Sequence, residues 1–157
     1  MMNGGFTLGL MALLAAMLVW IAIVDIRTYT ISDRLNAAIA LLAPLYWWSA
    51  GVPLWPDASI RVGMGIIVFL LFAGAFYINM MGGGDVKLAG ALGLWFTPYE
   101  TLSLIVMMSI AGGLLTLVVL IIHRVKRKEG RPEVPYGVAI AAGGLWLLAQ
   151  RFLNHFA

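Results

Sequence analysis

The 157-residue sequence contains no cysteine, which excludes disulfides, a thiolate zinc site and a cysteine nucleophile. Charge is scarce as well: Asp, Glu, Lys and Arg make up 11% of the residues against 62% hydrophobic, and the mean hydropathy is +0.97. Soluble domains carry roughly 25% charged residues, so this composition places the chain among integral membrane proteins. Its longest stretch dense in polar and charged residues runs only from His123 to Glu133. No soluble catalytic domain fits there, and any active site must lie within or beside membrane helices. A basic n-region is missing too, since the first lysine or arginine is Arg27. The first apolar segment therefore reads as a retained membrane helix and not as a secretory signal peptide. His123 and His155 stand at segment ends with no second ligand at metal spacing, so neither a metal site nor a cofactor is expected.

What the sequence has in abundance is long uncharged runs. Met1 to Val24, Val62 to Gly84 and Thr101 to His123 each meet the length of about 20 apolar residues that a membrane crossing needs. Leu35 to Ser49 is shorter and ends in Tyr46, Trp47 and Trp48, a pattern expected of an interfacial aromatic belt. Val134 to Gln150 is similar in length, with Pro135 expected in its first turn. Leu88 to Phe96 is long enough to cover only about half of a ~30 Å hydrocarbon core.

Charge placement arbitrates. With six crossings, one face collects Arg27, Arg34, Lys87, Arg124, Lys126, Arg127, Lys128 and Arg131, and the other only Arg61 and Arg151, eight against two. If Leu88 to Phe96 dips in and returns, the split becomes four against six and the positive-inside bias vanishes. The expectation is one all-α domain over residues 1–157, a polytopic membrane bundle of about six helices. Both termini then lie outside the cytoplasm. The net charge of +3, concentrated in the loop Arg124 to Arg131, reads as a topology determinant, not as a nucleic-acid site. The same loop could hold anionic lipid. The methionines, including Met80, Met81, Met107 and Met108, read as packing residues.

Two aspartates stand out. Asp25 directly follows the run Met17 to Val24, and Asp85 follows Met80, Met81 and three glycines. In both topologies they share one face of the bilayer. An aspartate costs about 2.5 to 3.5 kcal/mol at the centre of a spanning helix and less near the interface, so such placement points to function. Gly82, Gly83 and Gly84 each disfavour helix by about 1 kcal/mol relative to alanine, so a break is expected there, open to close approach by another chain. Lys87 and Arg27 each lie two positions beyond an aspartate and point away from it on a helix, which suits snorkelling to head groups. Asp33, just before the second segment, suits a helix N-cap.

Taken together, Asp25-Ile26-Arg27, Ile31-Ser32-Asp33-Arg34-Leu35-Asn36, Gly82-Gly83-Gly84-Asp85-Val86-Lys87-Leu88 and Pro135-Tyr136-Gly137-Val138-Ala139 resemble the type IV prepilin peptidases. The similarity is greatest to their short branch, associated with Tad-type pilus systems. The G-x-G-D pattern shared with presenilin-like intramembrane proteases falls on Gly82, Gly84 and Asp85. The family's first loop usually reads Ile-Pro-Asn, where this chain has Ile31, Ser32 and Asp33.

The resemblance implies an aspartyl endopeptidase with Asp25 and Asp85 as the catalytic pair. Gly82, Gly83, Gly84 and Lys87 would serve the motif and substrate approach. Its partners would be the bilayer and a membrane-inserted prepilin whose basic leader is cut after a glycine, at the cytoplasmic face of the bacterial inner membrane. Longer relatives carry a cysteine-rich insertion and also methylate the new N-terminus, so this cysteine-free chain is expected only to cleave. Two close carboxylates would share one proton and together activate water. A small ion-coupled transporter and a non-catalytic pilus-assembly subunit remain as alternative readings, and the oligomeric state is open.

Overall fold

The structure, a computed structural model, describes residues 4–126, 130 and 132–156, with side chains up to residue 154. Arg127, Lys128 and Arg131 of the basic loop, and the side chain of His155, lie outside the described residues. Six α-helices follow one another: α1 (Gly4–Thr28), α2 (Asp33–Ser49), α3 (Ser59–Tyr77), α4 (Gly83–Gly93), α5 (Pro98–Val125) and α6 (Tyr136–Phe156). A wide turn, Leu54–Ala58, leads into α3. Four of these segments are long and apolar enough to cross a membrane: Gly4–Thr28, Leu54–Tyr77, Pro98–Val125 and Tyr136–Asn154. The fold is thus a helical membrane bundle, with large side chains such as Trp20, Leu70 and Leu117 turned outward and a core of Leu14, Leu18, Ile39, Leu88, Leu92 and Ile140.

The helices alternate in direction. Thr7 Oγ1 donates to Ser49 Oγ at 3.1 Å, joining the start of α1 to the end of α2. At the opposite end, Asn36 Nδ2 donates to Gly84 O at 2.9 Å, joining the starts of α2 and α4. Down α4, Gly83 lies against Phe76, Gly90 against Phe69 and Gly93 against Gly65, so α3 and α4 run antiparallel. A Cβ at Gly93 would stand 2.8 Å from Gly65 Cα. Such backbone approach is how membrane helices associate without a hydrophobic drive between them. Arg151 near the end of α6 reaches Glu100 at the start of α5. Helix α4, 11 residues and about 16 Å long, thus starts at the aspartate end of the bundle and points toward the other.

A helix this short leaves carbonyls at its C-terminus inside the bundle, where water cannot satisfy them. Side chains do so instead. Trp47 Nε1 donates to Leu94 O at 2.8 Å, and Arg61 Nη1 (2.7 Å) and Arg151 Nη2 (3.2 Å) both donate to Trp95 O. The two cations assigned to the sparsely charged face are therefore helix-end ligands turned inward, Arg61 with 8% of its surface exposed. Tyr46 and Trp47, expected in an interfacial belt, are likewise buried, and only Trp48 is exposed. Tyr46 stacks on Trp95 with ring centroids 5.0 Å apart.

Several helix ends differ from the sequence expectation. Ser32, not Asp33, occupies the N-cap of α2 and makes no side-chain cap bond. Asp33 begins the helix and accepts from Lys87 Nζ at 2.7 Å, so Lys87 is held in an ion pair and does not simply reach outward to head groups. The break expected across three glycines is confined to Gly82, which caps α4, while Gly83 and Gly84 are helical. Their amides belong to a first turn that has no intrahelical partners in any case. Pro135 precedes α6 and does not sit in its first turn.

Candidate functional site

Asp25 lies within the last turn of α1, which runs on to Thr28, past the end of the apolar run. The helix stops because Tyr29 turns left-handed (φ 53°), with its amide on Asp25 O at 2.9 Å. Asn79 closes α3 with the same device (φ 57°), and asparagine tolerates that conformation better than most residues. Four residues later α4 begins, with Asp85 in its first turn. The two helix endings thus place both aspartates at one end of the bundle.

Asp25 is 2% exposed and Asp85 8%. Sixty positions separate them in sequence. Asp25 Oδ2 accepts from the Val138 amide at 3.2 Å, in the first turn of α6, where free amides and the helix dipole suit a carboxylate. Gly137 is what lets α6 come so near, because a Cβ there would lie 2.8 Å from Asp25 Oδ2 and 2.7 Å from Ile31 Cδ1. Asp85 folds back on its own cap, 2.9 Å from the place a Gly82 Cβ would take. Gly84 is pressed by Ile31, whose Cβ and carbonyl oxygen would stand 3.0 and 3.1 Å from an added Cβ. Gly137, beside Asp25, and Gly84, next to Asp85 in the chain, therefore both pack against Ile31 in the loop between α1 and α2.

Asp85 opens on a cleft of about 610 Å³ lined by Thr28, Tyr29, Met80, Met81, Thr116, Glu133 and Tyr136 among others. Met80, expected as a packing residue, is 65% exposed and belongs to this cleft wall. Lys87 lies elsewhere, with Asp33 at the rim of a separate apolar groove of about 430 Å³ between α2, α3 and α4. The structure brings Asp25, Asp85, Gly82 and Gly84 together, sets Gly83 against Phe76, and puts Lys87 outside the cleft. Sequence reasoning quoted Gly137 and Val138 only as part of a motif and gave them no role. Their signal was a proline-led, glycine-containing helix start.

Gly137→Ala tests the contact between α1 and α6. The added methyl must displace Asp25 or Ile31. Were Asp25 to act in chemistry, a misplacement of about 1 Å would cost on the order of 10²-fold in rate, with the unfolding temperature in detergent near wild type; an unchanged rate would show that α6 has no part in holding Asp25.

The sequence profile of the type IV leader peptidase family matches residues 12–117, a stretch that holds both Asp25 and Asp85. Among curated proteins, a prepilin leader peptidase/N-methyltransferase of Pectobacterium carotovorum subsp. carotovorum is 29% identical over 151 residues, covering 93% of this chain and 52% of the relative. The protein of the same name from Burkholderia pseudomallei strain 1026b is 33% identical, covering 89% of this chain and 45% of its own length, and strain K96243 gives the same values. The chain thus spans about half the length of the curated relatives it matches. No solved structure matches it. A family match across two thirds of a six-helix membrane bundle, including both buried aspartates, leaves one conclusion: this chain belongs to the type IV leader peptidase family.

Proposed function

We propose that this chain is an aspartyl endopeptidase that removes the basic leader from Flp-like type IV prepilins without methylating the product. The observation that carries the proposal is that Asp25 and Asp85, on helices distant in sequence, lie buried at one end of the bundle about Ile31, with Asp85 open to a cleft. One carboxylate, ionised, takes a proton from water as its oxygen attacks the scissile carbonyl carbon. The other, protonated, donates to the developing oxyanion. Collapse of the tetrahedral intermediate expels the amine, which leaves with a proton from the pair. Peptide hydrolysis of this kind uses side chains already present and no other co-reactant than water.

Charge supports a cytoplasmic position for the cleft in the inner membrane. Arg27, Arg34, Lys87, Arg124 and Lys126 lie at the aspartate end, whereas Arg61 and Arg151 at the other end are engaged by Trp95 O. The start of α1 at Gly4 and the end of α6 at Phe156 then face away from the cytoplasm. The absence of cysteine, where a resemblance to the longer enzymes would call for a cysteine-rich insertion, supports a peptidase that does not methylate.

The test is co-expression with a Flp-like prepilin, with leader removal followed by gel shift and the new N-terminus weighed by mass spectrometry. A shortened pilin with an unmodified amine is expected. An unprocessed pilin would overturn the peptidase reading, and a methylated N-terminus would overturn its restriction to cleavage.

A further inference from the structure

The aspartate end of the bundle is rich in cations, yet among the described residues that line the cleft beside Asp85 there is no lysine, arginine or histidine, and the carboxylates are Asp85 and Glu133. Glu133 is exposed, on the segment that leads into α6, and Tyr29 and Tyr136 line the same cleft. Asp33, another exposed acid at this end, is occupied by Lys87. In a protein with net charge +3, an unburied glutamate on a cleft wall whose described residues carry no cation favours a positively charged partner. Faces of the two tyrosines would favour the same charge.

From this we infer that Glu133 is a specificity-determining residue that receives a basic side chain of the substrate, a lysine or arginine on the leader side of the scissile bond. The assignment rests on the peptidase reading and deepens it. Cation recognition and chemistry are thereby divided. Glu133 binds at the cleft wall, and the aspartate pair works on the peptide bond.

The experiment uses the full chain in liposomes and steady-state cleavage of a prepilin with one basic leader residue near the cut. Glu133→Gln is expected to raise KM about fivefold, the scale of a partly exposed ion pair, with kcat unchanged. Glu133→Lys is expected to raise KM about 20-fold. A prepilin with glutamate in place of that leader cation should be a poor substrate for wild type and a better one for Glu133→Lys. That crossed rescue also shows that the variant is folded. Unchanged KM in both variants, or an equal loss on both substrates, overturns the assignment. Failure of the peptidase reading shows differently: wild type cleaves neither substrate, or cleavage survives Asp85→Asn, and the assignment to Glu133 then falls with it.

Discussion

Asp85→Asn is expected to lower prepilin cleavage by about 10³-fold, and Asp25→Asn by a similar factor, the range in which a general acid or base contributes. Asparagine keeps the shape of the side chain and removes its charge and its capacity to shuttle a proton. Both residues are almost completely enclosed, so a larger replacement would confuse loss of chemistry with loss of packing. Because two carboxylates that share one proton act as a unit, the double variant should be scarcely worse than either single one. That non-additivity is the sharper criterion, since two residues with separate roles would multiply their losses. Cleavage is read by gel shift, with membrane levels of each variant matched by immunoblot. Retention of full activity by Asp25→Asn would remove that residue from the chemistry, and a transporter or assembly subunit would tolerate both replacements.

That the two aspartates lie at one end of the bundle was legible from topology. An odd number of crossings leads from one face to the other, so loops after the first and third segments had to share a face, whatever became of the short fourth one. Composition supplied the bundle, because uncharged runs of this length have few alternatives. The environment of each aspartate was not legible. Nothing in the local pattern around Asp25 reveals that its partner is an amide 113 positions away, since Val138 N meets Asp25 Oδ2 only after α1 and α6 have packed. Gly137 carried the information in principle, but a single glycine near a helix start has many uses. The same limit applies to Lys87. Periodicity correctly turned it away from Asp85, yet gave no hint that Asp33, 54 residues earlier, would meet it.

Arg61 and Arg151 were counted as topology charges on the sparsely charged face, whereas both are inward ligands of a helix end. The short fourth helix, whose length made its course doubtful in the sequence, is held by side chains from α2, α3 and α6 that complete its terminal hydrogen bonds.

Arg151 therefore offers the largest expected effect on stability. Its Nε donates to Glu100 Oε1 at 2.7 Å and its Nη1 to the Tyr46 hydroxyl at 2.8 Å, while its guanidinium lies 5.0 Å from the centre of the Phe96 ring. Glu100 is in turn the N3 member of a capping box, receiving the Thr97 amide at 2.8 Å at the start of α5. Arg151→Met preserves much of the apolar bulk but leaves Glu100 without its cation, and stranding one side of this half-buried, charge-assisted pair costs about 2 to 3 kcal/mol. For a chain of this length that corresponds to a fall in apparent Tm on the order of 10 °C, followed by tryptophan fluorescence in detergent. Adding Glu100→Gln should recover part of the loss, because the stranded charge is the principal cause. A double variant as unstable as Arg151→Met alone would show instead that the bond to Trp95 O matters most. In that case cleavage should fall together with stability, since the tether at Trp95 fixes how far α4 projects and hence where Asp85 stands beside Asp25.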